Sequence, residues 1–197
     1  MKRRHFIGAL FALGSLPGGA RAQSRLAVED DDVDVDYRNG RYFAELTVLL
    51  PAGPAVALAA LTDFERMPAF MPGLVSSRIL SRAGSVWRIA QTGAATFGPF
   101  TLRFDSERRV ELTADGRLIS LALTGSARYL RSEVRFVTRA GVQSLNYRLE
   151  MEPDQWLPAG VGVPFLRHEV ADQFSALLRE MARRAALEAQ GAKKSPQ

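Results

Sequence analysis

Apolar and polar residues alternate with a period of two along the second half of the chain, as is typical of strands with one buried face. Turn residues such as Gly84, Gly98 and Gly116 separate the alternating segments. We predict six strands there, over residues 74–81, 86–95, 100–111, 117–124, 128–138 and 142–152. Their spacing favours an antiparallel meander over β-α-β units.

Residues before position 50 predict a further hairpin. Asn39-Gly40 is a strong hairpin turn signal, and residues 41–50 alternate well enough for a strand. Asp and Val alternate over residues 32–36, which fits an exposed edge strand that continues an acidic, solvated leader at 23–34. The predicted sheet is therefore antiparallel and has about seven strands.

Helical signals are confined to two places. Gly53-Pro54 opens a short helix over 56–61, and Asp63 is placed to cap a second one over 64–70. From Phe165 onward, apolar residues recur at helical spacing for about 24 residues, which predicts a long amphipathic helix. Residues 189–197 are expected to form a disordered tail.

The alternation also separates an inward, apolar face of the sheet from an outward, charged one. The strand positions that we expect to face inward are Trp87, Ile89, Gln91, Phe100, Leu102, Phe104, Ser132, Val134, Phe136 and Tyr147. The positions that face them from the long helix are Leu166, Val170, Phe174, Leu177 and Leu178. These residues either line a ligand cavity, with the polar atoms of Gln91, Ser132 and Tyr147 orienting the ligand, or form a filled core.

Trp156 lies in a loop between Pro153 and Pro158, where a tryptophan need not be buried. It is a candidate gate residue or a point of transient membrane contact. Packing beneath the long helix is the alternative.

The first 22 residues predict a cleaved export signal. A basic start is followed by an apolar stretch from Phe6 to Leu16 and by the small-x-small site Ala20-Arg21-Ala22. Arg3-Arg4 before Phe6 also matches the twin-arginine pattern, and a general secretory signal remains the alternative. We therefore expect a periplasmic or otherwise exported protein.

Charge and residue usage narrow the function classes. The whole chain carries a net charge of +5, but four of its 26 Lys and Arg residues lie in the export signal, and the remaining 175 residues carry only +1. No nucleic-acid partner is expected. The chain has no cysteine and only two histidines, so disulfides, thiol nucleophiles and multi-histidine metal sites are disfavoured. We expect no metal and no cofactor.

Several segments resemble a known family. Residues 50–56 (LPAGPAV), 61–73 (LTDFERMPAFMPG), 91–93 (QTG) and 152–158 (EPDQWLP) are similar to the coenzyme Q-binding START-domain branch of the START-like superfamily. This superfamily is also called polyketide cyclase/dehydrase and lipid transport, or SRPBCC. The resemblance implies an α+β helix-grip fold over residues 35–188, in which a curved antiparallel sheet grips the long C-terminal helix around a cavity for a hydrophobic ligand.

Three functions are compatible with these observations. The first is an exported, soluble, monomeric binding protein for a quinone-like or lipid-like molecule. The second is an enzyme of the polyketide cyclase/dehydrase type, which is weaker because the predicted lining contains no charged residue and His168 falls on the polar helix face. The third is an envelope interaction module with a filled core. Asp63 is interpreted as a helix cap rather than a catalytic acid.

Overall fold

The computed structural model describes residues 25–154 and 158–194. Its strands are β1 (Asp34–Arg38), β2 (Arg41–Leu49), β3 (Leu74–Ala83), β4 (Val86–Phe97), β5 (Phe100–Leu112), β6 (Leu118–Gly125), β7 (Ala127–Arg139) and β8 (Val142–Pro153). The α-helices are α1 (Pro54–Leu61) and α2 (Ala159–Lys194), and short 3-10 helices cover Asp30–Asp32 and Phe64–Ala69. The predicted export signal at 1–22 lies outside the described residues.

All eight strands form one antiparallel sheet in the order β1-β2-β8-β7-β6-β5-β4-β3. The meander from β3 to β8 is predicted correctly, and the N-terminal hairpin joins it through the pairing of β2 with β8. The turn before β2 uses Asn39 and Gly40, both at positive φ, as the hairpin signal requires. The sheet is curved and holds α2 against one face, so the helix-grip fold is confirmed, with one strand more than the expected seven.

Residues 25–33 are mostly exposed, but two of them anchor this segment to the rest of the protein. Val28 and Val33 are both buried in the main core. The backbone N–H of Val28 donates to Ser175 Oγ on α2 at 2.8 Å. Ser175, which the helical wheel places on the polar face, is therefore buried as well. The sequence does not predict these contacts, because two isolated valines among acidic residues carry no periodic signal.

Helix α2 has 36 residues instead of about 24, because it begins at Ala159 and continues to Lys194. Gly160, Gly162 and Pro164 read as loop residues in the sequence. In the structure Gly162 lies directly against the Tyr42 ring, where a Cβ would collide with that side chain. Gly162 therefore allows close packing between α2 and β2. At the other end of the helix, residues 189–194, which were predicted to belong to a disordered tail, are helical.

None of the helices in residues 25–154 and 158–194 is both long and apolar enough to cross a bilayer.

We expect the change Gly162→Ala to destabilise the protein by about 1–3 kcal/mol, since the added methyl group would displace the Tyr42 ring. Gly160→Ala is the matched control, because its Cβ would meet nothing within 4 Å and alanine favours a helix. Urea unfolding of both variants measures the difference. Equal stability of the two would contradict this packing.

Candidate functional site

The side of the sheet that faces α2, here called the inward face, contains the residues that the alternation assigned to it. Strand pairing places Gln91 opposite Ser106, Trp87 opposite Val110, and Val134 opposite Tyr147, so each pair shares one face. Phe104 lies over Gly93, where a Cβ would meet its ring. Trp156 and the side chain of Phe100 lie outside what the structure describes.

The predicted contact residues of α2 close over this face. Leu166, Val170, Phe174, Leu177 and Leu178 are all buried. The Phe174 ring lies with its centroid 4.8 Å from that of Tyr147 on β8, which links the middle of the helix to the sheet. At the tip of the β4–β5 hairpin, the Phe97 ring lies 6.3 Å from Phe165 of α2. These two aromatic contacts join the first turns and the middle of α2 to the sheet.

Burial on the inward face is uneven. Trp87, Ile89 and Val134 are buried in the core. Other inward side chains are only half-buried, namely Leu102, Phe104, Leu130, Ser132, Phe136, Tyr147 and Met151. Because these side chains keep accessible surface on the side of the sheet that faces the helix, α2 does not cover the inward face completely.

A line of polar side chains crosses the inward face from β3 to β8. Its members, one or two from each strand, are Ser77, Gln91, Ser106, Arg108, Ser120, Ser132 and Tyr147. The Gln91 amide donates to Ser77 Oγ at 3.0 Å, and its Oε1 accepts a hydrogen bond from Arg108 Nη2. The amide also contacts Met67 Sδ at 3.5 Å.

Arg108 is an inward-facing residue that the predicted lining did not include, and it corrects the expectation of an uncharged lining. It pairs with Ile89 on β4 and with Ala122 on β6, in the middle of the inward face. Burial lowers the pKa of Arg108 from its ordinary value. Its Nε atom is buried and has no hydrogen-bond partner. The signal was present, because the period of two continues from Phe104 through Arg108 to Val110.

Tyr147 is the second polar group with a shifted proton affinity. Burial raises the pKa of Tyr147 to about 12, while the nearby Arg108 charge and a hydrogen bond with Ser132 oppose the rise. The phenol is therefore protonated at neutral pH and can donate a hydrogen bond. Arg108 and Tyr147 together offer donors to an oxygen atom placed between the sheet and α2.

His168 does not face the inward surface, which agrees with its predicted place on the polar side of the helix. It is not simply solvated, however. Its Nδ1 lies 3.3 Å from Asp30 Oδ1 and its Nε2 lies 3.6 Å from Asp172 Oδ2. The ring also lies 5.5 Å from that of Phe97. His168 therefore joins the N-terminal segment and the β4–β5 hairpin to α2.

Asp63 does not act as the predicted helix cap. Its side chain makes no capping hydrogen bond, and its carboxylate instead accepts one from Arg184 Nη2 at 2.7 Å. Arg184 also donates to Glu180 at 2.8 Å and to the carbonyl oxygen of Ala59 at 3.2 Å. Asp63 thus fastens the α1 region to α2.

The described residues contain no group of three or more His, Asp or Glu side chains that is arranged to hold a metal ion.

Comparison with known proteins places this geometry in a family. The sequence model described as polyketide cyclase / dehydrase and lipid transport matches residues 50–178, which run from the end of β2 into α2. The chain belongs to this family. No curated protein sequence matches it significantly.

Solved structures share the fold of this family member at low sequence identity. A START superfamily protein from Mycobacterium smegmatis is 15% identical, with a TM-score of 0.57 over 74% of this chain and 98% of its own. The Zhui aromatase/cyclase from Streptomyces sp. R1128 is 16% identical, with a TM-score of 0.58 over 77% and 98%. A STAR-related lipid transfer protein from Xanthomonas axonopodis is 13% identical, with a TM-score of 0.57 over 77% and 99%.

Proposed function

We propose that this chain is an exported binding protein that holds one hydrophobic small molecule, lipid-like or quinone-like, between the inward face and α2. The observation that carries the proposal is the pairing of half-buried apolar side chains with hydrogen-bond donors on the inward face. Apolar walls with a few placed polar groups are typical of small-molecule sites. The proposal is also supported by the names of two proteins that share the fold, a lipid transfer protein and an aromatase/cyclase.

The polar groups are better suited to holding a ligand oxygen than to moving a proton. A general acid or base works best when its pKa lies near the operating pH. Tyr147, with a pKa of about 12, and the guanidinium of Arg108 both remain protonated at neutral pH. We therefore favour binding over a cyclase-type reaction.

The quinone-like alternative for the ligand comes from the resemblance of residues 61–73 and 152–158 to the coenzyme Q-binding branch. A quinone carbonyl would accept hydrogen bonds from the same donors. The family match supports membership of the polyketide cyclase / dehydrase and lipid transport family. Membership of the coenzyme Q-binding branch is part of this proposal.

The ligand can be identified directly in protein purified from the periplasm of the cells that produce it. We expect mass spectrometry of an organic extract to find about one hydrophobic molecule per chain. Ser132→Leu, which enlarges a half-buried inward side chain, should reduce the amount, whereas Arg135→Leu on the outer face should not. Native protein that yields no bound molecule would favour a filled-core interaction module instead.

Export is a separate part of the proposal. We expect protein from the periplasmic fraction to begin at Gln23, and Edman sequencing measures this. If the twin-arginine route is used, changing Arg3 and Arg4 together to lysine should block export. Export that continues in this variant would indicate the general secretory route, and soluble protein that retains Met1 would contradict export.

A further inference from the structure

Four hydrogen-bonding side chains lie together on four successive strands of the inward face. We call this group the donor patch; it consists of Arg108 on β5, Ser120 on β6, Ser132 on β7 and Tyr147 on β8. Ser120 lies directly opposite Ser132, and Ser120 also pairs with Val110, two residues from Arg108. Neighbouring strands are about 5 Å apart, so one small ligand group can reach several of these side chains.

Tyr147 bonds with Ser132 and Arg108 bonds with Gln91, but two atoms of the donor patch lack a partner in the described part of the protein. Arg108 Nε and Ser120 Oγ are both buried and have no hydrogen-bond partner among the described residues. Ser120 is only 8% exposed, so solvent does not readily replace the missing partner. Leaving such groups unpaired costs free energy, and native proteins rarely tolerate it without a reason.

The positive charge of Arg108 is also uncompensated. Its neighbours on β5 form ion pairs on the outer face, where Glu107 accepts from Arg88 and Arg109 pairs with Glu111 at 2.7 Å. Arg108 has no ion pair within the described part of the chain, and its one acceptor is the neutral amide oxygen of Gln91. A desolvated cation without a counter-ion is unfavourable. An anion in this space would therefore gain electrostatic attraction to Arg108 in addition to its hydrogen bonds.

The missing partner has a definite chemistry. Arg108 supplies only donors, and the protonated phenol of Tyr147 supplies another. The complement is a group with several acceptor oxygens and one negative charge. A carboxylate meets both conditions, whereas a phosphate monoester carries about −1.5 to −2 at neutral pH and would leave excess charge beside a single guanidinium.

We propose that the bound molecule is an amphipathic carboxylic acid, whose carboxylate is held by Arg108 and the donor patch while its apolar chain lies along the half-buried side chains of the inward face. This rests on the proposed function and narrows it, because a neutral quinone or alcohol would leave the Arg108 charge uncompensated.

The test compares dodecanoate with 1-dodecanol, which share an apolar chain and differ in the headgroup. Binding to delipidated protein is measured at pH 8 by calorimetry, with octanoate and octanol as a shorter pair. We expect the wild type to bind each carboxylate at least tenfold more tightly than its alcohol. Arg108→Met should abolish this preference, because it removes the charge that distinguishes the carboxylate from the alcohol.

Arg109→Gln is the matched control, because it removes a positive charge at the adjacent position on the outer face. It should keep the full preference for carboxylates. Equal binding of acid and alcohol by the wild type, or a preference that survives in Arg108→Met, would overturn the carboxylate proposal while leaving the hydrophobic site intact. Absence of binding by all four molecules would overturn the proposed function together with it.

A second readout follows the side chain itself. In nitrogen-15 labelled protein, the Nε–H resonance of Arg108 should shift on addition of dodecanoate and not on addition of 1-dodecanol. A resonance that is unmoved by saturating dodecanoate would contradict direct contact.

Discussion

Phe174→Ala is expected to lower the free energy of unfolding by about 3–5 kcal/mol, as the deletion of a large buried aromatic side chain does. Phe174 is 5% exposed and lies in the middle of α2. Its ring contacts Tyr147 with a centroid distance of 4.8 Å, so the change also removes the aromatic contact that holds the helix to β8.

Chemical denaturation of delipidated protein measures this loss without a contribution from ligand. Leu187→Ala is the control, since Leu187 lies on the same helix and is 53% exposed; we expect a change below about 0.5 kcal/mol. If Phe174→Ala lowers the free energy of unfolding by less than about 1 kcal/mol and weakens only ligand binding, then Phe174 lines an open cavity and does not hold α2 against the sheet.

Glu180→Gln is expected to cost about 2–3 kcal/mol at pH 7. Glu180 is buried, and its carboxylate accepts hydrogen bonds from Arg183 at 2.7 Å and from Arg184 at 2.8 Å. The pKa of Glu180 is lowered from 4.5 to about 2. The hydrogen bond from Arg183 is the largest cause, and the hydrogen bond from Arg184 adds to it. Each unit of such a shift corresponds to about 1.4 kcal/mol, and the exposure of Arg183 reduces the total.

The pH dependence of this effect has a definite sign. Because the pKa is lowered on folding, the stabilisation is fully present above pH 4.5 and is lost as the pH falls toward about 2. The stabilities of wild type and Glu180→Gln should therefore converge between these values. Glu188→Gln, on the exposed part of the same helix, should follow the wild type at every pH. A constant difference between wild type and Glu180→Gln down to pH 2 would contradict the ion-pair account.

The Glu180 cluster gives residues 61–73 a structural role. Arg184 joins Glu180 to Asp63, so the motif that resembles the START-domain branch is tied to α2 by charge as well as by the burial of Phe64 and Met67. The sequence placed Asp63 correctly before a helical turn, but it could not show that a cation 121 residues away would take its carboxylate.

Sequence patterns were sufficient for the meander from β3 to β8 because the alternation there continues over strands of 8 to 13 residues. On β7, the period of two in Ser132, Val134 and Phe136 specified both the strand and its inward face. At the start of α2 the sequence pattern was misleading, because glycine and proline there indicate a loop. Gly162 lies in a helix instead, and its small size is needed because the Tyr42 ring packs directly against it. Such close approach between distant residues leaves no local signal in the sequence.

The alternation placed the described apolar residues on the inward face as the structure has them, but it did not reveal the charged residue Arg108 among them. Arg108 lies in a run of polar residues, 105–109, which locally resembles a solvated segment. The register of β5 against Ile89 and Ala122 shows that this arginine faces inward while Arg109 faces outward, as the period of two that runs through Phe104 and Val110 indicates. A charged residue in an alternating strand should be assigned to a face by its position in the period and not by its polarity.

The central claim is that a hydrophobic ligand lies between the inward face and α2, and intermolecular NOEs test it most directly. Methyl-labelled, delipidated protein is mixed with unlabelled dodecanoate. We predict NOEs from the ligand chain to the methyl groups of inward Leu102, Leu130 and Val134, and none to Ile119 and Leu121, which face outward on β6. NOEs confined to the outward methyl groups, or none at saturating dodecanoate, would contradict the account.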